Sequence, residues 1–417
     1  METKILSKHW DEKEHASYEG YVKNGGYEAL KKTLEMNPDD VIEEVKKSNI
    51  RGRGGAGFPT GLKWSFIPKK TDKPKYVVCN ADESEPGTFK DREFFRYDPH
   101  SVLEGIAICA WAVQANHSYI YIRGEFVREA KLLQKAIDEA YEAGIFGKNV
   151  CGSDFQLECV LHRGAGAYVC GEETGLLESI EGKKGQPRNK PPFPAVEGLF
   201  GCPTVINNVE TLAAMPWIMG HGGEEYAKMG TEKSAGTKMC CISGPVKNPG
   251  VYEVEMGYSL RRLIDEEGGG MLDGKELLAV IPGGSSVPPL IVEEIDQANI
   301  SYESMQDLGS ALGTASLIVI PTDYSVVTAL KVISRFYAEE SCGQCVPCRE
   351  GTGWLYRLLV RIDEGKGTKK DLEVLESLTK KISGKTICAL GDAAVWPVQG
   401  FLRVFRDKFE AAVQDNS

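Results

Sequence analysis

The first 60 residues are polar with a helical pattern, and the texture changes at 76. KYVVCN (75–80) reads as a buried strand, HSYIYIRGE (117–125) as a second and DFQLECVLHRG (154–164) as a third with alternating faces, because a period of two sends successive side chains to opposite sides of a sheet. Between the last two, FVREAKLLQKAIDEAYEAG (126–144) puts Phe126, Ala130, Leu133, Ile137 and Ala140 on one helical face, with Gly144 as its stop. Strands alternating with helices predict an α/β layered domain. TVINNVETLAAMPWIM (204–219) reads as a further helix. Near 237 the pattern shifts. TKMCCISG and GVYEVE form a hairpin around a Lys-Asn-Pro-Gly turn, SLRRLIDEE a helix and ELLAVIPGG a returning strand, the order of a small β-grasp domain of roughly ninety residues. No catalytic constellation accompanies it, so scaffold or docking module is its expected role. From about 323 the pattern is helical to the end, apart from a cysteine motif and one later cysteine.

Composition limits the functions that fit this outline. At 417 residues the chain is long enough for several domains. Lys plus Arg number 49 and Asp plus Glu 60, a formal net charge of -11, so no nucleic-acid surface is expected for the whole chain. Any basic cluster that binds phosphate must be local. The opening METKILSKHWDEKEH is unlike a secretory or transit segment, and runs such as IAICAWAV (106–113) are too short to span a bilayer. The expectation is a soluble, cytoplasmic protein. Its twelve cysteines then read as thiols or metal ligands rather than as a disulfide framework, because the cytosol is reducing.

Two loops carry candidate chemistry. RGRGGAGFPTGLKWSF (51–66) contains Gly52, Gly54 and Gly57 at the G-x-G-x-x-G spacing, a dinucleotide fingerprint only where a strand leads in and a helix leaves. Here NPDDVIEEVKKSNI (37–50) reads as a helix, with Asp39 or Asp40 as cap and Lys46 and Lys47 near its end. The ordinary dinucleotide reading therefore fails on context. Exposed backbone N–H groups still leave a phosphate-bearing ligand as one reading and a plain flexible turn as the other. The second loop, GKKGQPRNKPPFPAVEGLFGCP (182–203), is long, and loops of that length in compact domains are usually functional.

ESCGQCVPCREG (340–351) carries Cys342, Cys345 and Cys348 as C-x-x-C-x-x-C. Three thiolates at that spacing reach three iron corners of one cubane, which needs a fourth ligand from elsewhere. Cys388 in GKTICALGD is the only other cysteine in the C-terminal helical region. A structural zinc site is the rival reading, although zinc sites usually bring cysteines in separated pairs. The other eight cysteines do not group: Cys79, Cys109, Cys159 and Cys170 lie in apolar contexts, Cys151 and Cys202 beside loops. Cys240 and Cys241 are neighbours on one strand, so they face opposite ways.

GAGAYVCGEETGLLES (164–179) and ESCGQCVPCREG together resemble the two signatures of a known family, the NADH-binding flavoproteins of respiratory complex I, called the F subunit in bacteria and also the 51 kDa subunit. The resemblance includes the glycine loop and covers essentially the whole chain; its one departure is Gly175, where the family usually has alanine. It implies an α/β Rossmann-like FMN/NADH domain, a ubiquitin-like β-grasp (SLBB) domain and a C-terminal helical bundle holding a [4Fe–4S] cluster. The corresponding bounds are 1–60 for an N-terminal helical segment leading into the loop, then 61–236, 237–322 and 323–417 for the three domains.

Residue by residue, the resemblance implies FMN contacts from Gly52, Arg53, Gly54, Gly55 and Lys63, from Asn80 and Asp82, from Tyr168, Gly171 and Glu172, and from Asn207, Asn208 and Thr211. It implies NADH contacts from Phe58, Phe66, Glu85, Glu173, Lys190 and Phe193, and cluster ligation by Cys342, Cys345, Cys348 and Cys388. NADH releases two electrons as a hydride, a cluster takes one at a time, and flavin handles both; no side chain need act as acid or base in the hydride step. The implied partners are the thioredoxin-like [2Fe–2S] E subunit and the iron–sulfur G subunit, in a peripheral arm at the cytoplasmic face of the inner membrane that feeds quinone. A diaphorase subunit of an NAD-linked hydrogenase or formate dehydrogenase shares both signatures and is the alternative.

Overall fold

A computed structural model describes residues 4–414. Its first layer is a four-stranded parallel sheet, β1 (Tyr76–Ala81), β2 (His117–Ile122), β3 (Glu158–Arg163) and β4 (Thr204–Asn208), in the order β3-β2-β1-β4. The helices Pro99–Val113 and Val127–Glu142 make the crossovers on either side of β2. The N-terminal helices do not form a core of their own: Tyr27, Leu30, Val41 and Val45 pack in one apolar cluster with Val77, Cys79, Val102 and Ile106. From β1 the chain builds the sheet outward in one direction, then returns to place β4 on the other side of β1. That reversal opens a crevice beyond the carboxyl ends of β1 and β4, where ligands bind in open α/β sheets. Asn80 and Asp82, Asn207 and Asn208 arrive there from the two strand ends.

The stretch 204–219 differs from the helix expected of it. Thr204–Asn208 is strand β4, paired with β1 from Tyr76↔Thr204 to Asn80↔Asn208, and helix begins only at Val209, capped by the Asn208 side chain. A short apolar run does not distinguish strand from helix by periodicity; the free edge of β1 decides it.

The second sheet has five strands, β5 (Thr237–Ser243), β6 (Gly250–Glu255), β7 (Leu277–Ile281), β8 (Leu290–Ile291) and β9 (Ser316–Pro321), in the order β6-β5-β9-β7-β8. Counted within the domain this is 2-1-5-3-4 with a parallel central pair, β5 and β9, the expected β-grasp. The sequence pattern alone does not reveal the central strand β9 or the short β8. Cys240 and Cys241 do face opposite ways: Cys240 joins the β-grasp core, while Cys241 Sγ accepts a hydrogen bond from the Phe89 N–H.

The remaining helices, Val326–Glu340, Val346–Asp363, Lys369–Ile382, Leu390–Val404 and Arg406–Ala411, form a bundle. One of its apolar faces packs on Ala279 and Ile281 of β7. The other packs Tyr337, Cys348, Leu390 and Ala394 against Val169, Leu176 and Ile206 of the first layer. Among the described residues no helix is long and apolar enough to cross a membrane.

Candidate functional site

Helices bound the glycine loop on both sides, Pro38–Lys47 before it and Thr60–Ser65 after it. Its base is closed by the Gly52 N–H donating to the Phe58 carbonyl at 2.8 Å and the Thr60 N–H donating to the Ile50 carbonyl at 3.0 Å. Gly57 has φ +64°, and a Cβ there would stand 2.4 Å from the Tyr302 ring, so the turn excludes a side chain. A Cβ on Gly54 would come within 3.1 Å of Asn208 Cβ. The loop thus lies directly over the end of β4.

Under it is a cavity of about 440 Å³, a size in the range of small-molecule sites. Its wall combines Gly54, Gly55 and Ala56 with Asn80, Asp82, Glu83, Ser84 and Glu85 after β1, and with Tyr168, Gly171, Glu172 and Asn208. The β-grasp domain adds Gly283, Ser286, Gly313 and Thr314, and the bundle adds Cys388, Ala389, Leu390, Ala393 and Trp396. All three layers therefore meet in one cavity, whose far end reaches Cys388.

Hydrogen bonds lock much of this wall. Asn80 Nδ2 donates to the Gly171 carbonyl at 2.8 Å, and its Oδ1 accepts from the Asp82 N–H at 3.1 Å. Burial pushes the Asp82 carboxyl up to about 7, against the opposing pull of Arg123 and a hydrogen bond from Ser84. Glu85 accepts from the Tyr168 hydroxyl at 2.7 Å, the Ser286 N–H at 2.8 Å and the Ser285 hydroxyl at 3.2 Å, while burial still raises it above the usual carboxylate range. Glu172 caps the helix Glu173–Ile180, accepting from the N–H groups of Thr174 and Gly175. A Cβ on Gly175 would stand 2.7 Å from the Val169 carbonyl oxygen, so alanine here requires the two segments to part slightly.

Not every expected flavin residue faces the cavity. Arg53 is buried behind the loop, where its N–H donates to Thr211 Oγ1 at 2.8 Å and its guanidinium donates to the carbonyls of Arg51, Ala235 and Thr237. Asn207 accepts from Trp64 Nε1 at 3.3 Å and is buried. Arg53, Thr211 and Asn207 thus hold the loop and the helix after it in place. Lys63 is 3.4 Å from Glu173, and Lys190 lies 2.6 Å from Glu173 and 2.9 Å from Glu172. Burial raises the Glu173 carboxyl, but the two lysines outweigh it and hold the group below its ordinary range. The aromatic rings expected at the nucleotide are exposed, Phe58 at 45%, Phe66 at 51% and Phe193 at 58%; Phe58 and Phe66 stand with centroids 6.1 Å apart.

Sequence reasoning misses Lys90, Asp91 and the two β-grasp loops. Lys90 lines the cavity yet is fully buried, with Nζ 2.7 Å from both Asp91 Oδ1 and Glu210 Oε2. In sequence it is one charge in FKDREF, and nothing local marks it as buried.

At the far end the four motif cysteines fall in one cluster with Tyr168, Val169 and Cys170. Cys345 occupies the N-cap position of the helix Val346–Asp363 without a side-chain capping bond, at the end whose partial positive charge favours anionic groups. Cys345 Sγ accepts from the Ile387 N–H at 3.3 Å, so the motif touches the segment bearing Cys388, and Cys348 Sγ lies 3.1 Å from Ser341 Oγ. Burial pushes the Cys388 thiol up to about 11. Among the described residues no three His, Cys, Asp or Glu side chains close on a single-ion position.

Comparison with known proteins covers each layer. Residues 45–217 match the family described as the Nuo51 FMN-binding domain, 238–319 the SLBB domain and 328–412 the NADH-ubiquinone oxidoreductase-F iron-sulfur binding region. The NADH-quinone oxidoreductase F subunit of Rickettsia massiliae is 52% identical over 396 residues, 95% of this chain and 94% of that protein. Its counterpart in Rickettsia typhi is 52% identical over 394 residues, 94% of this chain and 93% of that protein. Among solved structures, an NAD+-reducing [NiFe]-hydrogenase in the H2-reduced state is 35% identical with a TM-score of 0.85, over 92% of this chain but 64% of that one; the air-oxidised state gives 0.86 at 33% identity, over 99% of this chain and 67% of that one. With matches along nearly its full length and in every layer, the chain belongs to the family of NADH-quinone oxidoreductase F subunits.

Proposed function

We propose that this chain is the electron-entry subunit of a complex I-type NADH:quinone oxidoreductase, with FMN in the cavity under the glycine loop and one [4Fe–4S] cluster on Cys342, Cys345, Cys348 and Cys388. The observation that carries the reading is the shared cavity: the glycine loop, Asn80, Asp82 and Asn208 line one part and Cys388 another. The flavin, when bound, supplies the exchange between a two-electron donor and one-electron carriers. The residues present fit it, because the glycines leave room for close approach and the donor set after β1 and β4 is polar and hydrogen-bonded.

The chain's own groups bind, orient and exclude water. Gly54 and Gly55 offer backbone to the flavin, with Gly52 closing the loop beneath them; Asn80, Asp82, Tyr168, Gly171, Glu172 and Asn208 form the flavin's wall. Arg53, Asn207 and Thr211 act behind them as positioning residues. Glu85 anchors Tyr168 and the β-grasp loop at the base of the nucleotide path. Phe58, Phe66 and Phe193 offer exposed rings for the nucleotide's bases, and Glu173, held charged by Lys63 and Lys190, accepts hydrogen bonds from ribose hydroxyls. The division at 60, 236 and 322 belongs to the same proposal, as do the E and G partners and attachment at the cytoplasmic membrane face.

The test is spectroscopic. Cys348→Ala and Cys388→Ala should each lose the [4Fe–4S] EPR signal and keep FMN, since cavity walls from the first layer remain; a full cluster signal in both would reject the ligand assignment. NADH should bleach the flavin in a single turnover in these variants, and the unaltered chain should reduce ferricyanide without quinone. The likeness to the NAD+-reducing hydrogenase supports a diaphorase as the second reading. Subunits that co-purify decide between them: a thioredoxin-like [2Fe–2S] protein with membrane subunits, or a hydrogenase.

A further inference from the structure

A loop with glycines at 52, 54, 55 and 57 loses much backbone freedom on ordering, because glycine has the most to lose. Its shape therefore needs support from outside. We infer that Tyr302, on the β-grasp domain, is the positioning residue that fixes the Gly57 turn and thereby presents Phe58 to NADH; this rests on the reading of Phe58 as a nucleotide contact. The β-grasp domain then shapes the nucleotide site, a role beyond that of scaffold or docking module.

The Tyr302 side chain touches both stems of the loop. Its hydroxyl donates to the Gly52 carbonyl at 2.9 Å. Its ring fills the space that a Cβ on Gly57 would need, and the Arg51 guanidinium lies over that ring, 3.9 Å from its centroid, within reach of a cation–π attraction. Arg51 Nε in turn donates to the Gly57 carbonyl at 2.6 Å. Tyr302, Arg51 and Gly57 thus interlock immediately before Phe58, whose carbonyl accepts from the Gly52 N–H. The Phe58 ring is half-exposed, so its placement depends chiefly on the backbone that carries it.

Tyr302 is itself held firmly. It begins the helix Tyr302–Asp307, capped by Ser301. Its N–H donates to Ser234 Oγ at 3.1 Å, and that hydroxyl donates to Glu303 at 2.6 Å. Its ring is buried in the β-grasp core with Ile300, Met305 and Leu317. A side chain fixed in this way imposes its position on a glycine loop rather than yielding to it. A turn already ordered when the nucleotide arrives spares binding the cost of ordering it. The contact joins positions 250 residues apart, so no local sequence signal marks it.

The experiment measures NADH:ferricyanide kinetics and amide hydrogen exchange over residues 51–60 in the FMN-loaded full chain, for the unaltered protein, Tyr302→Phe and Tyr302→Leu. Tyr302→Leu should raise KM for NADH at least about tenfold, the scale of ordering one backbone residue. Its kcat should change much less, because binding lost equally from ground and transition states appears in KM. Amides of the loop should exchange faster while those of β5 and β9 keep the parent rates. Tyr302→Phe retains the ring and should stay within about fivefold of the parent, the scale of one neutral hydrogen bond. Parent values of KM and loop exchange in Tyr302→Leu, with only a fall in global stability in urea, would overturn the assignment. Faster loop exchange with an unchanged KM, where Phe58→Ala raises KM, overturns it too. Should Tyr302→Leu not fold, Arg51→Gln, which releases the Gly57 carbonyl and the face of the ring, must speed loop exchange and raise KM, and parent values overturn the proposal equally. An unchanged KM in Phe58→Ala rejects the nucleotide reading of Phe58 itself, a separate outcome, and loop exchange then decides whether Tyr302 fixes the turn.

Discussion

Two clusters of opposed cations and carboxylates border the cavity, and they differ in depth. In Arg53, Lys90, Asp91, Glu210 and Lys238 no side chain is more than 5% exposed. In Lys63, Glu172, Glu173 and Lys190 the side chains are 21–31% exposed. The buried set has no water to replace a lost partner, so each member is fixed by the others. It builds a rigid wall between the first layer and the β-grasp domain, since Glu210 also accepts from the Met239 N–H of β5 at 2.8 Å. The half-exposed set can exchange its lysines for groups of a ligand at small cost. Depth, rather than composition, separates a structural device from an adjustable one.

The largest expected effect tests the buried set. Glu210→Gln should lose about 3–5 kcal/mol of stability in urea denaturation, the range for removing one partner of a buried pair. Glu173→Gln should lose less than about 1 kcal/mol. Equal losses would abolish the distinction between the clusters.

Acid should expose the same difference. Burial raises the Glu210 carboxyl, but Lys238, Lys90 and Arg53 together hold it down to about 2 against an ordinary 4.5. Because the folded value is the lower one, its stabilisation is complete above about pH 4.5 and is lost as pH falls toward 2. The parent should therefore show a steeper loss of stability across that window than Glu210→Gln; parallel curves would contradict it.

A smaller effect tests the mouth as a nucleotide device. The 2′-phosphate of NADPH adds nearly two negative charges, and like charges about 4 Å apart repel by roughly 4 kcal/mol per unit pair at an effective dielectric near 20. Solvent access reduces this, leaving about one to two orders of magnitude of discrimination. Glu173→Ala should bind NADH more weakly and gain NADPH oxidation, with Glu173→Gln between mutant and parent. An unchanged ratio of kcat/KM for the two nucleotides would leave Glu173 as a helix-start carboxylate only.

Salt gives the finest distinction. A double-mutant cycle between Glu173 and Lys190 should give a coupling below about 1 kcal/mol that shrinks as ionic strength rises, because exposed pairs are screened. The cycle between Glu210 and Lys238 should give a larger coupling that salt leaves unaltered. Matching salt dependence in the two cycles would erase the difference in depth.

Legibility in the sequence followed distance along the chain. The cysteine triplet, the helix leading into the glycine loop and the strands β1 to β3 depend on neighbours a few residues apart, and all were readable. Strand β4 was not, because its assignment depends on pairing with β1 more than 120 positions earlier. The central β9 was missed for the same reason, lying between β5 and β7 in space but at the end of its domain in sequence.

By itself the sequence determined what short-range geometry controls: the period of each helix, the thiol spacing of the cluster motif, and a loop whose glycines exclude side chains. Those features follow from backbone rise and sterics, which act over one or two turns. The tertiary structure alone decided which charges face the cavity. Arg53 and Lys63 were expected at the flavin, yet Arg53 turns behind the loop and Lys63 to Glu173, while Lys90, unmarked in sequence, is buried at the cavity's edge between Asp91 and Glu210. The orientation of a polar side chain is set by burial and by partners from distant segments, here positions 53, 90, 210 and 238 meeting at one point, and a dielectric environment of that kind exists only once the layers have closed on each other.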